Sequence, residues 1–311
     1  MRLPKLPVRA AYLKLDNAPR RNALSLEVLK SLREQLVGYN TPPGEVRPLL
    51  LPDFSPNIIK DYSRADQDTR AEETQAWNWL IDGHEWRKRR GNLPKVLVLR
   101  SEGPVFSAGH DLKEIDKQSP ADVEKTFDLC REVMTLIRQS PIPIVGVIHG
   151  LATAAGAQLA LTTDLPVAIA SARFQLPGMS IGLPCTSPST ALSRKLGNAF
   201  TYRMFALAEP VRADQLPEGA VETVPDESAL EARVSDIVEK MVNSSGQAQA
   251  IGKWTYWTQA SIQGSYQDST GDSFSAAAAW AAKAMAIQAG TEDAKEGRKA
   301  FMEKRPPVWH T

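Results

Sequence analysis

Two stretches of small residues are the parts of this chain best suited to chemistry: Phe106-Ser107-Ala108-Gly109-His110-Asp111-Leu112 and His149-Gly150-Leu151-Ala152-Thr153-Ala154-Ala155-Gly156. Each follows an apolar run, Val96-Leu97-Val98-Leu99 in the first case and residues 142–148 in the second, and each opens a helical pattern. A strand that runs into a small-residue turn at the head of a helix leaves backbone N–H groups pointing at an anion. Two such turns side by side make an oxyanion hole. The chemistry this predicts is stabilisation of negative charge on a carbonyl oxygen, a thioester oxygen above all. Taken singly, Gly109 and Gly156 also fit ordinary turn or packing glycines. Their order, each behind a strand, favours a site.

The elements that must hold these turns can be read from spacing. Residues 11–15 alternate as a strand, residues 17–22 form a polar loop, and residues 25–37 carry Leu26, Leu29, Leu32 and Leu36 behind a Ser cap, which predicts a helix. Residues 40–94 break the rhythm. This segment opens with prolines, carries Trp77, Trp79 and Trp86, and ends in Arg87-Lys88-Arg89-Arg90; it reads as an insertion with one helix over about residues 71–90. Its tryptophans either line an acyl pocket or staple the inserted helix down, the commoner case. Its basic run is either an anion patch or a solvated helix end. Beyond it, strands at 96–99, 142–148 and 165–170 alternate with helices at 122–139, 154–162 and 189–196, which predicts an α/β fold with parallel strands and crossover helices. After about Val211 strand signals fade, and residues 230–242, 248–261, 273–289 and 292–303 read as helices. The expected organisation is a core over 1–210 that contains the insertion, followed by a helical region over 211–311.

Composition removes several classes. Lys and Arg number 37 against 36 Asp and Glu, so no global field favours nucleic acid or an anionic membrane, and nucleic acid is discarded as a partner. No apolar run reaches the roughly 20 residues of a membrane span. Cys130 and Cys185 are too few for a disulfide framework. The four histidines, His84, His110, His149 and His310, lack metal-ligand spacing, and His84-Glu85 has no second His where a zinc helix needs one, so no metal is expected. Residues 1–9 are basic without an acid, but Pro4 and Pro7 argue against an amphipathic targeting helix. Gly178-Met179-Ser180-Ile181-Gly182 has nucleophile-elbow spacing around Ser180, yet that reading needs a strand before it, a helix after it and a downstream Asp and His, and the only later histidine is His310.

With these residues in view, the chain resembles the crotonase superfamily, the enoyl-CoA hydratase and isomerase fold. The matching pieces are Arg21-Asn22-Ala23-Leu24-Ser25, the run Gly103 through Lys113, His149-Gly150 through Asp164, Phe174-Gln175-Leu176-Pro177, and Glu296-Gly297 through Pro307. Within the superfamily it is similar to the branch called enoyl-CoA hydratase domain-containing protein 3, in Gly150 through Gly156 and in the ending Lys304-Arg305-Pro306-Pro307-Val308-Trp309. The resemblance implies a ClpP-like spiral of repeated ββα units, C-terminal helices that mediate a homotrimer or a dimer of trimers, and a place in fatty-acid or acyl-CoA metabolism. It implies a mitochondrial compartment, with the cytoplasm as alternative, and an acyl-CoA substrate with no separate cofactor, coenzyme A being part of the substrate.

The resemblance also carries roles onto particular residues. The thioester oxygen would sit between the N–H groups of His110 and Ala155, donors that need a held backbone and no particular side chain. Against that, the His110 imidazole titrates near neutrality and is a second candidate group. Asp111 is either a general base or a carboxylate complementing the next helix's positive end. The stretch Ala108, His110, Asp111, Leu112 and Lys113 would lie along coenzyme A, with Ala23, Arg20 and Arg21 from the first loop; the two arginines either hold phosphates or are simply solvated. Lys304 and Arg305 would lend a basic side chain to the nucleotide, although basic residues also suit a helix end for dipole reasons.

The two glutamates that handle water and the α-proton in hydratases of this family are replaced by Gln158 and Gly178. An amide cannot take a proton at neutral pH and glycine has no side chain, and each lost acid/base group costs about 10² to 10⁴ in rate. What remains suited is enolate stabilisation with little proton transfer by protein carboxylates, as in decarboxylation or thioester cleavage by bound water, or acyl-CoA binding without turnover. Cys185, Thr186 and Ser187 are the candidate replacement polar groups, and equally fit turn residues.

Overall fold

In the computed structural model, residues 3–58, 78–262, 287 and 289–311 are described below. The chain divides into two compact units. The first comprises Met1–Tyr39, Val96–Arg138 and Pro143–Lys240; the second comprises Asn40–Lys95, Gln139–Ile142 and Met241–Thr311. The division differs from the sequence expectation: residues 211–240 go with the sheet, and the segment expected as an insertion shares a unit with the end of the chain.

In the first unit, strands β1 (Ala10–Leu15), β2 (Val96–Ser101), β3 (Ile144–Ile148), β5 (Leu165–Ile169) and β8 (Glu222–Val224) form a parallel sheet in the order β1-β2-β3-β5-β8. Its register pairs Val98 with Val145 and Val147 with Val167. Val96 through Leu99 are fully buried, as parallel strands covered on both faces require, and this is why β2 reads as a continuous apolar run. A second sheet, β4 (Leu151–Thr153), β6 (Arg173–Gln175) and β7 (Val211–Arg212), is parallel across β4 and β6 and antiparallel across β6 and β7.

The chain visits the two sheets alternately. After β2, Ser107 bridges in parallel to Ala152 of β4; after β3 comes β4 itself; after β5 comes β6. Each visit ends in a helix or helical turn: α4 (Leu112–Ile115) and α5 (Pro120–Gln139), then α6 (Ala155–Thr162), then a 3-10 turn (Pro177–Ile181) and α7 (Thr186–Leu196). This strand, short strand, helix repeat is the ββα spiral. Earlier in the chain, β1 leads to α1 (Leu26–Asn40) with Leu24 bridged to His110. The expectation that strands end near Val211 fails: β7 and β8 lie beyond it, two and three residues long and carrying Arg212, Glu222 and Thr223, so no apolar periodicity announced them. Helices α8 (Asn198–Leu207) and α9 (Glu227–Val242) complete the labelled helices of this part.

The second unit has its own core of Leu49, Leu51, Trp79, Leu80, Trp86, Ala250, Ile251 and Trp254. The helix expected over 71–90 appears, in its described part, as α2 (Asn78–Ile81) and α3 (Gly83–Arg90). Asp82 breaks it: in extended conformation, its side chain accepts from the Glu85 N–H at 2.9 Å and caps α3. Trp79 and Trp86 stack at 5.7 Å, and the buried Arg90 guanidinium lies 5.8 and 5.5 Å from their rings, so these tryptophans staple a core. Arg87 pairs with Glu292 and Arg89 with Glu45, which gives the basic run structural partners. Helices α10 (Gly246–Ser261) and α11 (Glu292–Met302) follow the expected positions, while most of the helix expected over 273–289, and residues 71–77 with Trp77, lie outside the described residues. Among the described residues no helix is long and apolar enough to cross a membrane.

Candidate active site

The two small-residue turns meet. Ser107 N–H donates to the Leu151 carbonyl at 3.1 Å, and Thr153 N–H donates back to the Ser107 carbonyl at 3.0 Å. The glycines allow the approach. A Cβ on Gly109, whose φ is +78°, would stand 2.8 Å from the Thr153 oxygen and 3.3 Å from the Ala155 nitrogen. One on Gly156 would stand 2.6 Å from the Ser107 oxygen and 2.8 Å from Ser107 Oγ. Both positions therefore need glycine for contact between the corners, and Gly109 needs it for its backbone angle as well.

Asn22 and Ser107 fix the corner from behind. Buried Asn22 donates through Nδ2 to the carbonyls of Glu102 (2.7 Å) and Val105 (2.9 Å), and its Oδ1 accepts from the Asn17 N–H. Ser107 Oγ donates to the Asn22 carbonyl at 2.8 Å and accepts from the Gly109 N–H at 3.2 Å. Ala108 N–H donates to Arg21 O, and Leu24 N–H to Gly109 O. Ala154 holds φ 51° and ψ −122°, a conformation normally reserved for glycine, with its N–H on the Gln175 carbonyl at 2.9 Å. This strained residue immediately precedes Ala155, the first residue of α6. Among the described residues, neither the His110 N–H nor the Ala155 N–H donates to an acceptor of the protein.

The remaining candidates sort by their contacts. The His110 ring stacks on Phe127 at 4.8 Å, its Nε2 is buried without a partner, and burial pushes its pKa down to about 4, so the imidazole is neutral. Asp111 caps α4, accepting from the N–H groups of Lys113 (3.1 Å) and Glu114 (3.2 Å), and takes Arg20 Nη1 at 2.8 Å. Burial raises its pKa, but Arg20 and the two amides outweigh that and hold it below the ordinary carboxylate value. Asp111 is thus a cap, as the helix-end reading has it, and Arg20 is its partner. Arg21, Leu112 and Lys113 are exposed, and Ala23 is buried in the loop, where its carbonyl accepts from Asn17 Nδ2.

Gln158 is buried, and its Nε2 donates to Ser187 Oγ (3.3 Å) and Thr190 Oγ1 (3.5 Å). Gly178 is enclosed by its own turn: its N–H donates to Cys185 Sγ at 3.3 Å, its carbonyl accepts from Leu183 N–H at 2.9 Å, and any Cβ would overlap the Leu183 oxygen. Cys185 is therefore a buried structural thiol; burial raises its pKa, with the Gly178 N–H partly offsetting this. Ser180 sits in the 3-10 turn, without the strand–turn–helix setting of an elbow, which removes the serine-hydrolase reading. In the second unit, Lys304 is exposed with φ 53°, and Arg305 is committed to Glu296 (2.6 and 3.0 Å) and Glu303. Arg305 in turn holds the Glu296 carboxyl down to about 2, with help from the Val308 N–H.

The family profile for Enoyl-CoA hydratase/isomerase matches residues 87–311. The chain belongs to that family. Enoyl-CoA hydratase domain-containing protein 3, mitochondrial, of Rattus norvegicus is 39% identical over 217 residues, covering 69% of this chain and 69% of that protein. Among solved structures, an enoyl-CoA hydratase of Mycobacterium smegmatis is similar with a TM-score of 0.73 and 30% identity over 99% of this chain and 98% of that one. Human enoyl coenzyme A hydratase domain-containing protein 3 is similar with a TM-score of 0.70 and 29% identity, over 96% and 95%. The enoyl-CoA hydratase/isomerase resemblance read from the motifs is thus the family, and its ββα spiral is the fold. Sequence reasoning missed Asn22, Ala154, Phe127 and Thr190 as parts of the site. Asn22 stood within the matched motif, but its clamp depends on carbonyls some 80 residues away.

Proposed function

We propose that this enoyl-CoA hydratase/isomerase family member binds acyl-CoA thioesters and stabilises the thioester enolate through the N–H groups of His110 and Ala155. The observation that carries the reading is the juxtaposition of two backbone amides, neither spent on the protein, at corners that touch through Gly109 and Gly156. A backbone donor of this kind supplies about 10² to 10³ in rate. With Gln158 and Gly178 where proton-transferring glutamates would be needed, the chemistry is that of an enolate whose proton is not handled by protein carboxylates. The names of similar proteins support a mitochondrial location, and the resemblance supports a homotrimer or a dimer of trimers acting in acyl-CoA metabolism.

Ala155→Pro deletes one donor and changes no polar side chain of the corner. With fold retention checked by circular dichroism, turnover of crotonyl-CoA and malonyl-CoA, or tight acyl-CoA binding where turnover is absent, is expected to fall at least about 100-fold. A folded variant that matches the parent protein counts against the assignment.

A further inference from the structure

Leu26 opens α1 and Lys30 stands four residues on, so the two share a face of that helix. Asp122, Lys125 and Leu129 share a face of α5 in the same way. Between these faces and the chain that joins α4 to α5, where Lys117 stands, lies an open cleft of about 620 Å³, a size usual for small-ligand sites. Its lining belongs wholly to the first unit and includes none of the residues assigned above to coenzyme A or to the enolate.

The polar groups of the cleft divide by charge. Its two carboxylates are spent on the protein. Glu114 accepts from the Leu26 N–H at 3.2 and 3.3 Å and from Gln118 Nε2 at 3.3 Å, which closes the head of α1. Asp122 accepts from the Ser119 hydroxyl at 2.7 Å and from Lys125 Nζ at 3.0 Å, and Gln118 Oε1 accepts from the Thr126 hydroxyl at 3.2 Å. The ammonium groups are in the opposite position. Among the described residues, neither Lys30 nor Lys117 gives its ammonium to an acceptor of the protein, and Lys125 has Asp122 alone for its three protons. Leu26 and Leu129, both half-buried, add hydrocarbon to the same wall.

A cation entering this cleft would meet three ammonium groups and no unspent carboxylate. An anion with several acceptor oxygens fits instead, and a phosphate monoester brings nearly two negative charges and three such oxygens. Phosphate alone would fill little of the volume and leave both leucines uncovered. We propose that the cleft is a second ligand site, for a phosphate monoester with an apolar or aromatic body: Lys30 and Lys117 hold the phosphate, and the body lies on Leu26 and Leu129. It does not depend on the acyl-CoA reading above.

Phenyl phosphate, phenol and inorganic phosphate test it, titrated into the full chain with isotope-labelled leucine methyl groups and followed by nuclear magnetic resonance. Phenyl phosphate is expected to move the Leu26 and Leu129 signals saturably and to bind about tenfold tighter than either fragment, since charge-assisted hydrogen bonds and apolar contact each contribute. Lys30→Gln with Lys117→Gln, both at exposed positions, is expected to reduce phenyl phosphate to the affinity of phenol. Excess coenzyme A is expected to leave the titration of the parent protein unchanged. Equal affinity for phenyl phosphate and phenol, or a double variant that binds as the parent does, overturns the site. Leucine signals that stay in place overturn it as well, and displacement of phenyl phosphate by coenzyme A overturns it as a second site.

Discussion

His110 contributes to the corner in two separable ways. Its amide faces no protein acceptor, whereas its ring is packed on Phe127 with Nε2 buried and unpartnered. A buried imidazole without a partner resists protonation, which is why its pKa falls from 6.5 to about 4. The unfolded chain therefore binds a proton that the folded chain refuses anywhere between those two values. The contribution of this group to stability is complete above about pH 6.5, declines as the pH falls toward 4 and changes no further below that. The slope at its steepest is about 1.4 kcal/mol per pH unit. Urea denaturation across this window should show the parent protein losing stability relative to His110→Gln as the medium is acidified. Parallel curves for the two proteins would mean that the ring is solvated. The Gly178 position teaches a related lesson, since the backbone of Leu183 to Cys185 fills the space a glutamate would take. A glycine in a sequence says only that a side chain is missing, and here its room is missing too.

At the scale of elements, the corner between β4 and α6 is held by local strain. Ala154 pays about 1 to 3 kcal/mol for its φ and ψ, against about 0.5 to 1 kcal/mol that glycine would cost in chain entropy. Ala154→Gly should therefore raise stability by about 1 kcal/mol, and Ala154→Val should lower it, both read from urea midpoints. A destabilised glycine variant would show that the alanine methyl makes contacts worth more than the strain. Much of this architecture was legible in the sequence. The long strands β2, β3 and β5 are buried on both faces and appear as apolar runs, and the helices at 122–139 and 154–162 stand within two residues of their expected limits. The second strand of each ββα unit was not legible, because Ser107 is a single bridge and β4 and β6 span three residues each, too few for a period to show. The glycines of the site announced themselves, whereas the Asn22 clamp and the Gln158–Thr190 contact join distant segments that no local pattern connects.

At the scale of the whole molecule, the two units bury separate cores, one built on the parallel sheet and one on tryptophans and aliphatic side chains around α2, α3 and α10. The end of α11, in the second unit, leaves its apolar residues in water: Phe301 is 85% exposed and Met302 is 75% exposed, side by side in the chain. Covering a side chain of this size contributes about 1.5 to 3 kcal/mol, and a cyclic assembly repeats the gain at each interface. A second copy is the occupant that the proposed trimer supplies. Light scattering at micromolar concentration is therefore expected to give three times, or six times, the mass of the chain. Replacing both residues, Phe301→Glu with Met302→Glu, should shift that mass toward the monomer while the far-ultraviolet circular dichroism stays as it was, because neither side chain is part of a core. A parent protein that scatters as a monomer removes the assembly, and a double variant that keeps the larger mass moves the interface elsewhere on the molecule.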